Sequence, residues 1–190
     1  MAITTPVGVN LGVIGCGNLG GALVRGLVDA KLLTPKQIFV FDKSTEKMRG
    51  LELLGVQCCP DETAVAAAVA VLVIAVKPHH VVELLDLIRP TLEAGGATKI
   101  ISVAAGTAIT QISSHLPKSK TLVRVMPNLP AVVRAGICGI YGADKESVET
   151  AAEIFSALGR TVVMEKEEHL DVVTALSAGG TATSSSTGVV

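Results

Sequence analysis

The chain is 190 residues long with a formal net charge of −1; it is 49% hydrophobic and has no tryptophan, one tyrosine and three phenylalanines. That length suits one domain with a substantial core, and the balanced charge argues against a basic surface for nucleic acid or anionic membranes. The longest apolar run, residues 64–76, is 13 residues, short of the roughly 20 that span a bilayer, so a cytoplasmic protein acting on small molecules is expected.

Residues 1–7 lack a basic region followed by an apolar core, and no secretory signal is expected there. Residues 9–14 form a short apolar run that meets Gly15-x-Gly17-x-x-Gly20. Residues 21–28 then have the spacing of a helix buried on one face. In a strand–turn–helix of this kind Gly15 allows the sharp turn, Gly17 leaves room for a pyrophosphate and Gly20 lets the helix pack closely. The helix N-terminus would face the ligand's negative charge; the alternative is a purely structural turn.

A second strand is predicted over residues 37–41, ending at Asp42, 22 positions after Gly20. A dinucleotide fold brings this strand end to the adenosine ribose, where a carboxylate accepts from the ribose hydroxyls and favours NAD. Lys43 and Ser44 could instead hold a 2′-phosphate, so NAD is expected to bind well and NADP to be accepted. Ser44 also suits the N-cap of a helix over residues 45–54.

Gly55 closes that helix, residues 56–58 form a third strand, and Pro60-Asp61-Glu62 opens an alanine-rich helix. Residues 71–76, apolar throughout, read as a strand buried on both faces. It ends in Lys77-Pro78-His79-His80, where Lys77 is either a cofactor neighbour or a solvated charge and the histidines begin a helix over residues 81–88. Pro90 and Gly95-Gly96 should break the chain after it. A fifth strand over residues 99–103 leads into Ala104-Ala105-Gly106, small residues that would let the backbone approach a nicotinamide ring or simply make a tight turn.

A helix over residues 109–116 and a strand over 121–125 precede Met126-Pro127-Asn128-Leu129-Pro130, read as a rigid wall. A strand over 136–141, a helix from Asp144 or Lys145 to Leu158 and a last strand over 160–164 follow. The four cysteines, Cys16, Cys58, Cys59 and Cys138, lack C-x-x-C spacing and are read as small hydrophobes, with no metal site. The alternation predicts an α/β fold: a doubly wound, mostly parallel sheet with helices on both faces and a differently directed edge near its end. A helix starts near Glu167 and is interrupted at Ala178-Gly179-Gly180. Residues 1–166 are therefore expected to form a dinucleotide-binding domain, and 167–190 the start of a truncated helical element with an irregular tail.

Five strings taken together resemble pyrroline-5-carboxylate reductase: Gly15-Cys16-Gly17-Asn18-Leu19, Ala75-Val76-Lys77-Pro78, Ser102-Val103-Ala104-Ala105-Gly106, residues 123–131 and Asp171-Val172-Val173-Thr174-Ala175-Leu176-Ser177. The resemblance runs from about Gly8 to Ser177. It implies a Rossmann-like fold and reduction of the cyclic imine Δ1-pyrroline-5-carboxylate to proline with hydride from NADPH or NADH. Carried over by matched position, the cofactor contacts are Gly15, Cys16, Gly17, Asn18, Leu19, Asp42, Lys43, Ser44, Val76, Lys77, Pro78, Ala104 and Ala105. Asn128, Glu167, Thr174 and Ser177 are the implied substrate-side candidates; no catalytic residue is singled out. The family often has Asn where Glu62 stands.

After Ser177 the chain reads Ala178-Gly179-Gly180-Thr181, whereas the family continues with Gly-Ser-Gly-Pro-Ala-Tyr and helices that bind substrate and build a homo-oligomer. The expectation is a chain that binds dinucleotide, turns over the imine poorly and does not assemble normally. Apolar residues Leu170, Val173 and Leu176 would then be exposed and promote association. A non-catalytic NAD(P)-binding module is the alternative. A reductase of the β-hydroxyacid dehydrogenase type is another, against which Met126-Pro127-Asn128-x-Pro130 and Thr174-Ala175-Leu176-Ser177 argue.

Overall fold

The computed structural model describes residues 9–128 and 136–170. Its first strand, β1 (Leu11–Ile14), is buried at every position and is followed by helix α1 (Asn18–Asp29), which buries Leu23, Val24 and Leu27. Three further parallel strands have the same short, apolar character: β2 (Ile38–Phe41), β4 (Val71–Ile74) and β5 (Lys99–Ser102). Such runs suit a sheet covered on both faces. Between them lie helix α2 (Thr45–Glu52), the two-residue strand β3 (Gln57–Cys58), helix α3 (Glu62–Ala68) and helix α4 (Val81–Glu93). After β5 come helix α5 (Ile109–Ser113), strands β6 (Thr121–Asn128) and β7 (Gly136–Gly142), helix α6 (Lys145–Phe155) and strand β8 (Gly159–Val163).

The eight strands form one sheet in the order β3-β2-β1-β4-β5-β6-β7-β8. The first six run parallel; β7 is antiparallel to β6, and β8 is parallel to β7. The differently directed edge is thus two strands wide. Chain order reverses direction across the sheet between β1 and β4, the point at which doubly wound sheets open a crevice.

Two apolar layers cover the faces. One gathers Leu23, Leu27 and Leu51 with Cys138, Val148 and Phe155, beneath α1, α2 and α6. The other gathers Val65, Leu72, Leu85, Ile88, Leu92 and Ile112, beneath α3, α4 and α5.

Three local expectations change. Helix α4 does not stop before Pro90 but runs through it to Glu93. Burial of Ile88 and Leu92, both 0% exposed, holds its apolar stripe against the sheet and offsets the hydrogen bond that proline cannot make. Strand β6 continues through Met126 and Pro127 to Asn128. Its pairing with β5 ends at Arg124, so Pro127 lies where only β7 remains as a neighbour, the edge-like setting in which a strand tolerates a missing N–H. Ser44 is the N-cap residue of α2, but its side chain makes no capping hydrogen bond; its own N–H donates to Asp42 instead, at 2.8 Å.

Leu170 is the fourth correction, since it is 0% exposed rather than a solvent-facing apolar residue. Val173 and Leu176 lie outside the described residues. No helix among those described is long and apolar enough to cross a membrane.

Candidate functional site

The carboxyl ends of β1, β2 and β4 open into a cavity of about 480 Å³. Its floor is the turn from β1 to α1. Gly15 has φ of +97°, a left-handed conformation that costs a side chain strain. A Cβ there would also lie 2.6 Å from the Ala75 carbonyl oxygen, so this glycine is required twice over. A Cβ on Gly20 would strike the Gly15 carbonyl, which fixes how closely α1 approaches the strand end. Gly17 differs from both: a Cβ on it would meet nothing within 4 Å, because it faces the open cavity.

That open space is the test of whether a dinucleotide's pyrophosphate fits. It does, because Gly17 is the N-cap of α1 and brings no side chain to the helix's unpaired N–H groups, and the first turn carries no acidic residue. The positive end of the helix dipole and its orphan donors face the cavity, an arrangement suited to an anion.

Asp42 locks the neighbouring strand end to this turn. One carboxylate oxygen accepts from the Cys16 N–H at 2.7 Å, and the other accepts from the Ser44 N–H at 2.8 Å. Lys47 Nζ stands 3.5 Å from the first oxygen. Charge-assisted bonds to two backbone amides make Asp42 a clip between two loops. Its backbone N–H in turn points to the Met48 sulfur at 3.1 Å.

Cys16 is 4% exposed and lies behind the cavity wall. Its thiol is pushed up to about 12, first by burial and then by the negative charge of Asp42. It is therefore a neutral packing group, and its N–H is the part that serves the site.

Of the residues expected at a cofactor, Gly15, Gly17, Asn18, Leu19, Asp42, Lys43, Val76 and Lys77 border the cavity. Cys16, Ser44, Pro78, Ala104 and Ala105 do not. Pro78 opens a 3-10 turn (Pro78–His80) leading into α4. Ala104, buried, and Ala105, exposed, follow the end of β5, beside β4 but beyond the cavity's border.

Asn128 ends β6. Glu167 is turned to the protein: its Oε1 accepts from Arg124 Nη1 at 2.9 Å and from the Ile109 N–H at 2.7 Å. Thr174 and Ser177 lie outside the described residues.

The opposite wall is one that sequence reading missed. His80, Glu83, Leu84 and Leu87 line it from one stripe of α4 and the turn before it, and Glu62 joins them from α3. The signal was there in the 80, 83, 84, 87 spacing, which places the four on one helix face. His80 and Glu83 pair at 3.6 Å on the rim. Lys47 was missed as well. A lysine in the first turn of a helix opposes the dipole, and such a position is informative when an anionic partner stands in front of it.

Residues 10–106, more than half of the chain, match the family model described as NADP oxidoreductase, coenzyme F420-dependent. The pyrroline-5-carboxylate reductase of Methanosarcina acetivorans is 34% identical over 176 residues, covering 90% of this chain and 64% of that protein. Pyrroline-5-carboxylate reductase 2 of Bacillus subtilis is 29% identical, over 90% of this chain and 62% of its own length. The chain thus spans less than two thirds of these relatives. Among solved structures, a pyrroline-5-carboxylate reductase from Coxiella burnetii superposes with a TM-score of 0.83 at 31% identity, over 92% of this chain and 65% of that one. The pyrroline carboxylate reductase of Plasmodium falciparum, solved with NADP bound, shares the fold at a TM-score of 0.76 and 24% identity, over 92% of this chain and 64% of that one. With the glycine-rich turn, the sheet order and these matches in agreement, the chain belongs to the NADP oxidoreductase, coenzyme F420-dependent family, and its likeness within it is to the pyrroline-5-carboxylate reductases.

Proposed function

We propose that the chain binds NADPH, with NADH as a weaker ligand, and supplies the cofactor side of a reductase acting on the cyclic imine Δ1-pyrroline-5-carboxylate. One observation carries the binding claim. The side-chain-free N-terminus of α1 opens onto a cavity of about 480 Å³ at the place where the strand order turns back.

In this reading Gly17, Asn18 and Leu19 present backbone donors to the pyrophosphate, while Gly15, whose N–H donates to the Phe41 carbonyl at 2.9 Å, shapes the turn beneath it. Lys43 and Lys47 stand at the ribose end, where two ammonium groups favour a 2′-phosphate. Asp42 already accepts from two backbone amides, one on each oxygen, so it reads the ribose less strictly than a carboxylate free of such bonds. Phe41, Leu84 and Leu87 offer apolar surface to the adenine. Val76, Lys77 and the Ala104–Ala105 segment would lead toward the nicotinamide.

The dinucleotide supplies, when bound, a hydride to the imine carbon, while the imine nitrogen, protonated beforehand, keeps the electron pair of the broken π bond and becomes the amine of proline. A protonated imine is already electrophilic. The task left to this chain's residues is to hold the donor in place and keep water from it.

Fluorescence titration with NADPH and NADH tests the binding. Saturable binding with NADPH tighter is expected; no binding of either at millimolar concentration would overturn it. Oxidation of NADPH on adding the imine tests the reductase reading, and a chain that binds NADPH without turnover would fit the non-catalytic alternative.

A further inference from the structure

Arg124 sits in β6, level with Ser102 of β5 and Tyr141 of β7, and is 4% exposed. A guanidinium so deeply placed needs a counter-charge, and Glu167, just beyond β8, provides it at 2.9 Å. The same Glu167 oxygen accepts from the Ile109 N–H at 2.7 Å. One carboxylate thereby ties the segment after β8 to β6 and to the far end of the loop that follows β5.

That loop runs from Val103 to Ala108 and contains Ala104, Ala105 and Gly106. Its near end is fixed separately: the Val103 N–H donates to the Ile74 carbonyl at 3.1 Å, and the Ala104 N–H donates to the buried Ser102 hydroxyl at 3.3 Å. Thr107, 4% exposed, packs inward. Gly106 has φ of +70°, so the loop turns sharply between its two anchors. The Arg124–Glu167 pair is the anchor at its far end.

Position in the sheet gives this anchor a direction. A dinucleotide lying across the crevice has its adenosine end at β2, beside Lys43 and Lys47, and its pyrophosphate at β1. Its other end reaches β4 and then β5. Of the dinucleotide, that other end would come nearest the loop held by Glu167, which follows β5 beyond the cavity's border.

We propose that Glu167, through its ion pair with Arg124 and its bond to the Ile109 amide, is a positioning residue for the nicotinamide end of the bound dinucleotide and is indifferent to the adenosine end. The proposal rests on the reading of the cavity as a dinucleotide site. It differs from a plain stabilising role, which would weaken both ends alike.

The test compares NADPH with 2′-phospho-ADP-ribose, which keeps the adenosine half and the pyrophosphate but lacks the nicotinamide ring. Both are titrated calorimetrically into the wild-type chain and E167Q. Glutamine can still accept from the Ile109 amide but replaces the ion pair with Arg124 by a neutral contact. The expected result is NADPH binding about tenfold weaker in E167Q, with 2′-phospho-ADP-ribose changed by less than about twofold. Equal weakening of both ligands, or no change in either, overturns the proposal.

Should E167Q fail to fold, as its circular dichroism would show, R124K carries the same comparison, since it keeps the positive charge and loses the second arm of the guanidinium. Failure of the wild-type chain to bind either ligand would instead strike the dinucleotide reading itself.

Discussion

Each oxygen of Asp42 already accepts from a backbone amide, at 2.7 Å and 2.8 Å; on the proposed reading, the lysines beside it then discriminate at the ribose end. Lys47→Ala should weaken NADPH about tenfold, from the loss of a charge-assisted contact to phosphate, and leave NADH within about twofold. Asp42→Ala should weaken both cofactors together, because it releases the loop that carries Lys43 and Ser44 from the glycine-rich turn. Parallel titrations separate the two outcomes. The cysteines offer a second check at this scale. The buried Cys16 and Cys138 thiols are pushed up to about 12 and about 11, chiefly by burial. They release their protons only as the pH climbs toward those values, so at pH 8 both stay protonated and unreactive. Exposed Cys58 is raised by burial and by the charge of Glu52, but solvent reaches it. Iodoacetamide followed by peptide mass spectrometry should find Cys58 alkylated well before Cys16 or Cys138.

Among the elements, α3 forms one wall of the cavity through Glu62 and is capped by Asp61, whose carboxylate accepts from the Ala64 N–H at 2.7 Å. The Thr63 hydroxyl bond to the carboxylate, followed by the Ala64 amide, lowers the Asp61 proton affinity below the ordinary aspartate value. The folded value is the lower one, so the cap's contribution is present above the unfolded value and is lost as the pH falls through the folded one. Asp61→Ala should therefore lower the melting temperature at pH 7, by an amount that shrinks as the pH falls below the ordinary aspartate range, as circular dichroism melts across a pH series would report. The start of this helix was legible in the sequence because Pro60-Asp61-Glu62 ahead of an alanine-rich run is a local signal. The buried strands were equally legible, being short apolar runs set between turns. What stayed hidden was set by tertiary contact. The passage of α4 through Pro90 depends on the burial of Leu92, and the extension of β6 through Pro127 depends on where β5 stops pairing. The α4 wall of the cavity had the right spacing, but nothing local says that a helix stripe ending in Leu87, 51% exposed, faces a ligand rather than solvent. The Arg124–Glu167 pair joins positions 43 residues apart and left no local trace at all.

At the scale of the whole molecule, a single sheet carries two packed layers, and the reversed strands β7 and β8 raise the question of whether they unfold with the rest. They share a core with the nucleotide half: Phe155 of α6, 0% exposed, belongs to the same apolar layer as Leu23 and Leu27 of α1. Gly26 marks how close the two parts come, since a Cβ on it would lie 2.8 Å from the Ala157 carbonyl oxygen. Removing the Phe155 ring should cost about 3–5 kcal/mol, the usual range for emptying a large aromatic site. In a chain of this size that lowers the melting temperature by roughly 6–20 °C. Because the layer is shared, Phe155→Ala should shift one cooperative transition, seen alike in the far-ultraviolet signal and in the loss of NADPH binding. None of the residues of α6, β7 or β8 borders the cavity, so saturating NADPH should raise the melting temperature of Phe155→Ala by about the same increment as that of the wild type, the ligand term depending only on concentration and affinity. Two resolved transitions, with only the earlier one shifted by the substitution, would mean that the reversed strands are an independently folding unit and that the cofactor half stands without them.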